Sequence, residues 1–92
     1  MPRAELILRE KIIDEAGNLV ELVIWAAPSG VRYRLAFIKH GDRIPIVLYD
    51  DHHPKGPHRH VAGIEEPYPY TNVDRLLADF RADVSRIRGD SG

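Results

Sequence analysis

The sequence predicts an α+β fold in which four to five antiparallel strands in meander order precede one C-terminal amphipathic helix packed on one sheet face. Two observations carry this reading. Successive segments place apolar residues at or near a period of two and are separated by short turns of Gly, Asn, Asp and Pro. The last segment repeats its apolar residues at helical spacing instead. A chain of 92 residues fits one small domain, 1–92, with a single core. Its 43% hydrophobic and 29% charged content excludes a wholly disordered chain.

Residues 5–13 read as a first strand, β-branched at its end and too irregular for a helical stripe. Gly17-Asn18 then supplies a tight hairpin turn. Residues 19–27 place Val20, Leu22, Ile24 and Ala26 on one wholly apolar face, the pattern of a central strand. Residues 31–39 alternate cleanly, with Val31, Tyr33, Leu35 and Phe37 opposite a face that begins with Arg32 and Arg34. A fourth strand over 43–50 contains Pro45, which lacks a ladder donor and marks an edge or a bulge. A short fifth strand is expected over 58–64, and Glu65 to Tyr70 reads as an extended, proline-constrained connector.

The helix is expected over 72–88, with Thr71 as N-cap and Val73, Leu76, Leu77, Phe80, Val84 and Ile87 forming its apolar stripe. Arg86 and Arg88 sit favourably at its carboxyl end, and Gly89 stops it. One helix covers one sheet face. The other face, on the side of Arg32 and Arg34, is left for a ligand, a partner or a second copy of the chain.

The chain contains no cysteine, so disulfides and thiolate chemistry are excluded. No apolar run is long enough for a signal peptide or a membrane span, and a cytoplasmic, membrane-free protein is expected. The net charge of -1 gives no global drive toward nucleic acid, so such binding would rest on local patches. Ten arginines against three lysines suit phosphate or carboxylate partners, and follow equally from a GC-rich coding sequence.

The stretch Tyr49 to His60 holds four of the five histidines with Lys55, Arg59, Asp50 and Asp51, and its prolines and Gly56 exclude a regular helix. In an extended chain His58 and His60 share one face and Arg59 takes the other. Three chemistries fit these residue types. The first is metal-free RNA cleavage, which needs a base for the 2′-hydroxyl, an acid for the leaving 5′-oxygen and a cation for the phosphorane charge. His58 and His60 supply base and acid, and Arg59 and Lys55 hold phosphate. Arg32, Arg34, Tyr49 and Tyr68 guide the substrate, with tyrosines stacking on unpaired bases. The second is a divalent metal site such as zinc, built from His58, His60 and Glu65 with His52 or His53. The third is a module that binds phosphate or an acidic partner without reaction. Glu65, His52 and His53 are secondary candidates throughout.

The residues Tyr49-Asp50, Lys55-Gly56 with His58-Arg59-His60, and Glu65-Glu66-Pro67-Tyr68 follow an order that resembles the TumE-like family of bacterial and archaeal toxin-antitoxin proteins. The likeness extends to Glu21-Leu22-Val23-Ile24-Trp25 and to Leu76-Leu77-Ala78-Asp79-Phe80, and its most specific part is the Lys-Gly-x-His-Arg-His core. Asp51, His52, His53 and Pro54 are peculiar to this member. The resemblance implies a small prokaryotic toxin of a type II system, paired with a helix-turn-helix antitoxin and acting on RNA as an endoribonuclease. It gives family weight to Lys55, Gly56, His58, Arg59, His60, Glu65 and Tyr68. No cofactor is expected on this reading, with a divalent metal as the alternative. Homo-oligomerisation is a further alternative use of the free face.

Overall fold

The computed structural model describes residues 5–51 and 56–89. Six strands form one open antiparallel sheet in the order β1-β2-β3-β4-β5-β6, a pure meander: Glu5–Ile13, Leu19–Ala27, Gly30–Ile38, Val47–Asp50, His58–Val61 and Ile64–Pro67. The helix α1, Val73–Arg88, follows the last strand. Among the described residues no helix is long and apolar enough to cross a membrane.

The strand count corrects the expectation of four to five. β5 stops at Val61 because Ala62 (φ 50) and Gly63 (φ 84) both adopt left-handed conformations. Two consecutive positive φ angles make the two-residue turn whose twist suits a hairpin. Ile64 to Pro67 therefore return as β6, paired residue for residue with β5, where a connector was expected. β4 is also shorter than 43–50. Its ladder begins at Val47, after Pro45, and pairs with β3 from Phe37↔Val47 to Arg34↔Asp50.

The core lies between the sheet and the helix. Leu22 and Ile24, then Tyr33, Leu35 and Phe37, then Val47 and Tyr49 project from one face and meet Leu76, Phe80 and Val84 of α1. Phe80 packs edge-on to Tyr49, with ring centroids 5.6 Å apart. The helix starts one residue later than expected, and its N-cap is Asn72 rather than Thr71. Asn72 has extended backbone and its side chain accepts from the Arg75 amide at 2.8 Å. Gly89, in the left-handed conformation, closes the other end by donating to the Arg86 carbonyl.

Candidate functional site

Strand register decides which side chains share a surface. Residues directly opposite across an antiparallel ladder project to the same face, and neighbours along one strand project to opposite faces. One row of the sheet runs Leu22, Leu35, Tyr49, Arg59, Glu66 and belongs to the helix side. The adjacent rows run Val23, Arg34, Asp50, His58, Pro67 and Glu21, Ala36, Leu48, His60, Glu65, and both lie on the opposite side. The sheet thus parts the His58-Arg59-His60 triplet, with both imidazoles on the helix-free face and the guanidinium on the other.

On the helix-free face His58 is buried, 7% exposed, although it is the first residue of its strand. Its Nδ1 lies 2.8 Å from the carbonyl oxygen of Gly56, an acceptor only, so Nδ1 carries the proton and donates. In the neutral ring Nε2 then keeps a lone pair. This Nε2 is 3.9 Å from a carboxylate oxygen of Glu65, and the Nε2 of His60 stands at the same 3.9 Å from that oxygen. The two rings meet edge to face with centroids 5.1 Å apart. One donor atom from each of the three residues lies within 4.8 Å of the others. A cleft of about 300 Å³ lined by Pro57, His58, Glu65, Glu66 and Pro67 opens beside them at the sheet edge.

Arg32 and Arg34 share this face, as the sequence implies. Arg32 pairs with Asp51 at 3.1 Å, whereas Arg34 has no ion-pair partner among the described residues. Arg34 lies opposite Asp50, and Asp50 opposite His58, so the guanidinium stands two strands from the imidazole in one row.

Arg59 is committed elsewhere. Its Nε donates to Glu66 at 2.6 Å, and one terminal nitrogen donates to Tyr49 Oη at 3.1 Å and to Asp83 at 3.2 Å. Tyr49 Oη in turn donates to Asp83, and the guanidinium stacks 5.9 Å from the Tyr49 ring centroid. Hydrogen bonds to Tyr49 and Glu66 and the charge of Asp83 hold Arg59 protonated against its partial burial. Burial, then the bond to Asp83, raises the Tyr49 hydroxyl well above its ordinary range. This network ties β4, β5 and β6 to the helix.

The placement of Arg59 on phosphate beside the histidines is therefore not what the geometry provides, because Glu66 and Asp83 already occupy its charge on the opposite face. The stacking role for Tyr49 and Tyr68 meets a similar obstacle. Both rings are buried, and Tyr68 donates its hydroxyl to Asp79 at 2.5 Å under the helix. Lys55, His52 and His53 lie outside the described residues. Glu65, a secondary candidate from sequence, joins the two histidines directly. Asp83 was missed altogether. Its only sequence signal is a carboxylate one residue before Val84 on the apolar stripe, close to the core face but not distinguishable there from a solvated helix position.

The sequence profile described as Toxin TumE matches residues 3–88. The chain belongs to the TumE toxin family. No curated protein and no solved structure gives a significant match. The TumE match spans every strand and the whole helix, so the cluster of His58, His60 and Glu65 and the Arg59 network both fall within the family domain.

Proposed function

We propose that this TumE-family toxin is the effector of a type II pair, held by a helix-turn-helix protein antitoxin, and that it acts as an endoribonuclease at the His58, His60 and Glu65 cluster. The observation that supports this most is the gathering of two imidazoles and a carboxylate on the sheet face the helix leaves uncovered, in line with Arg34. An extended, single-stranded RNA laid across this face meets cations for its phosphates from Arg34 and Arg32, and proton-accepting groups from the cluster.

The reaction is a transesterification. A base in the cluster takes the 2′-hydroxyl proton, the 2′-oxygen bonds to phosphorus, and the bond to the 5′-oxygen breaks. The products are a 2′,3′-cyclic phosphate and a 5′-hydroxyl, the departing oxygen taking its proton from solvent. Spacing bears on how the roles divide. A base and an acid on opposite sides of one phosphorus need two hydrogen bonds of about 2.8 Å each, besides the phosphoryl group between them. Donor atoms within 4.8 Å of one another fit a unit that works from one side. This differs from the metal-free division of base and acid between His58 and His60 that the residue types suggest. Arg34 then offsets the charge that builds on the phosphorane.

Purified toxin incubated with end-labelled RNA tests the reading. Cleavage that leaves a cyclic phosphate, falls about 10²–10⁴-fold in His60→Ala, and stops at a single 2′-deoxy substitution at the cut site supports it. Equal cleavage by His60→Ala removes the site. Bound but uncleaved RNA under all conditions would make the face a binding module alone. Co-purification with the product of a neighbouring reading frame tests the partner.

A further inference from the structure

We propose that His58, His60 and Glu65 form a three-ligand site for a divalent transition-metal cation such as zinc. The inference deepens the proposed function, since it concerns the same residues and rests on that reading for what the ion does there. Binding itself is independent of RNA.

The backbone sets up the donors. His58 and His60 are two apart on β5 and so project to one side, while Glu65 lies directly across from His60 on β6. Ala62 and Gly63, both with positive φ, fix the register of that two-stranded ribbon. All three ligands therefore come from one short hairpin rather than from loops, which is how a site holds its geometry.

Distances favour an ion over direct pairing. Each imidazole Nε2 is 3.9 Å from the Glu65 oxygen, beyond hydrogen-bond reach of about 2.7–3.2 Å. Zinc bonds of about 2.0–2.2 Å place two ligands of a tetrahedral centre about 3.4 Å apart, so each contact to Glu65 closes by about half an ångström, and the two imidazole donors, within 4.8 Å, by up to about 1.4 Å. His58 also has the outer contact that ligating histidines use. Its Nδ1–H donates to the Gly56 carbonyl, which fixes the ring and aims the Nε2 lone pair at Glu65. Two nitrogens and one carboxylate suit zinc better than the harder all-oxygen cations.

Among the described residues three protein ligands leave a fourth position on a surface that also carries Arg34. That is the arrangement of a catalytic rather than a structural zinc site, with the open position available to a phosphoryl oxygen or the 2′-hydroxyl. With all three side chains coordinated, the ion would take over the part of the base: it would lower the pKa of a bound 2′-hydroxyl so that its proton passes to solvent, and would offset phosphorane charge from the one side of the phosphorus that the cluster occupies.

The test is a calorimetric titration of the full chain, stripped with chelator, using zinc chloride. One equivalent is expected to bind wild type. Affinity is expected to fall by more than the about 10–100-fold that loss of an outer contact costs in both His60→Ala and Glu65→Gln. His40→Ala is expected to bind as wild type does. His60 and Glu65 are not in the core, so their variants keep the fold, and unchanged melting temperatures without metal verify this. No binding to wild type, or equal binding by His60→Ala and Glu65→Gln, overturns the proposal. So does loss of binding confined to His40→Ala. The two readings fail separately. Zinc bound with RNA left intact sinks the ribonuclease, whereas RNA cut by chelated protein that binds no zinc sinks the metal site.

Discussion

His60 on β5 lies directly opposite Glu65 on β6, and its Nε2 stands 3.9 Å from the Glu65 carboxylate, the same separation that His58 Nε2 keeps from that oxygen. Glu65 is thus the shared partner of two imidazoles that strand periodicity places on one face. On the other face of the same hairpin, Arg59 serves the fold. In the proposed site the chemistry of β5 falls to His58 and His60, and its tie to the helix to Arg59, alternate residues of one four-residue strand.

That division makes Asp83 a stability determinant. It is buried and accepts from Tyr49, from Arg59 at 3.2 Å and from Arg86 at 2.5 Å. Asp83→Ala leaves a buried hydroxyl without its acceptor and a partly buried guanidinium with the Glu66 carboxylate alone, and is expected to cost about 3 kcal/mol. Tyr49→Phe removes one charge-assisted bond and is expected to cost about 1–2 kcal/mol. Urea unfolding of each variant measures this. A stability unchanged in Asp83→Ala would show that the network does not hold β5 to the helix.

The helix start offers a second, smaller test. Asn72→Ala removes the acceptor of the Arg75 amide and is expected to cost about 1 kcal/mol, while Thr71→Ala is expected to cost little. The reverse order in thermal melts would return the cap to Thr71.

Stability should respond to pH at both ends. The Tyr68 hydroxyl, and then Arg75, hold the Asp79 carboxyl below its ordinary value of 3.8. A depressed carboxylate stabilises the fold above its unfolded value, and this contribution is lost as pH falls below about 4. Asp79→Asn should therefore flatten the acid limb of the melting curve. Tyr33, Tyr49 and Tyr68 are all raised above 10.0, chiefly by burial. Their contribution is complete below that value and is lost as pH rises past it, so the alkaline limb should soften in Tyr68→Phe. Identical pH profiles for the variants and wild type would contradict both assignments.

Much of this fold is legible in the sequence. The bounds of β1 and β2 coincide with the expected 5–13 and 19–27, and β3 differs by one residue at each end, because apolar, β-branched runs there are long and the turns between them carry Gly17, Gly30 and Gly41. The hairpin of β5 and β6 is not legible for a specific reason. Its turn puts Ala62 at positive φ, a conformation that Asn, Asp or Gly would have announced. Pro67 and Pro69 further disguise β6 as a connector. The site shows the same pattern. Periodicity puts His58 and His60 together and Arg59 apart, but only register across the unforeseen β6 brings Glu65 to them. The burial of Tyr49 and Tyr68 depends on where α1 lands, which no local pattern encodes.

The most direct measurement is growth arrest on induction of wild type, His60→Ala and Glu65→Gln at matched protein levels, with melting temperatures recorded for each. If the cluster on the helix-free face is the working site, both variants fold as wild type does and neither arrests growth. Full arrest by both folded variants would place the toxin's activity elsewhere on the molecule.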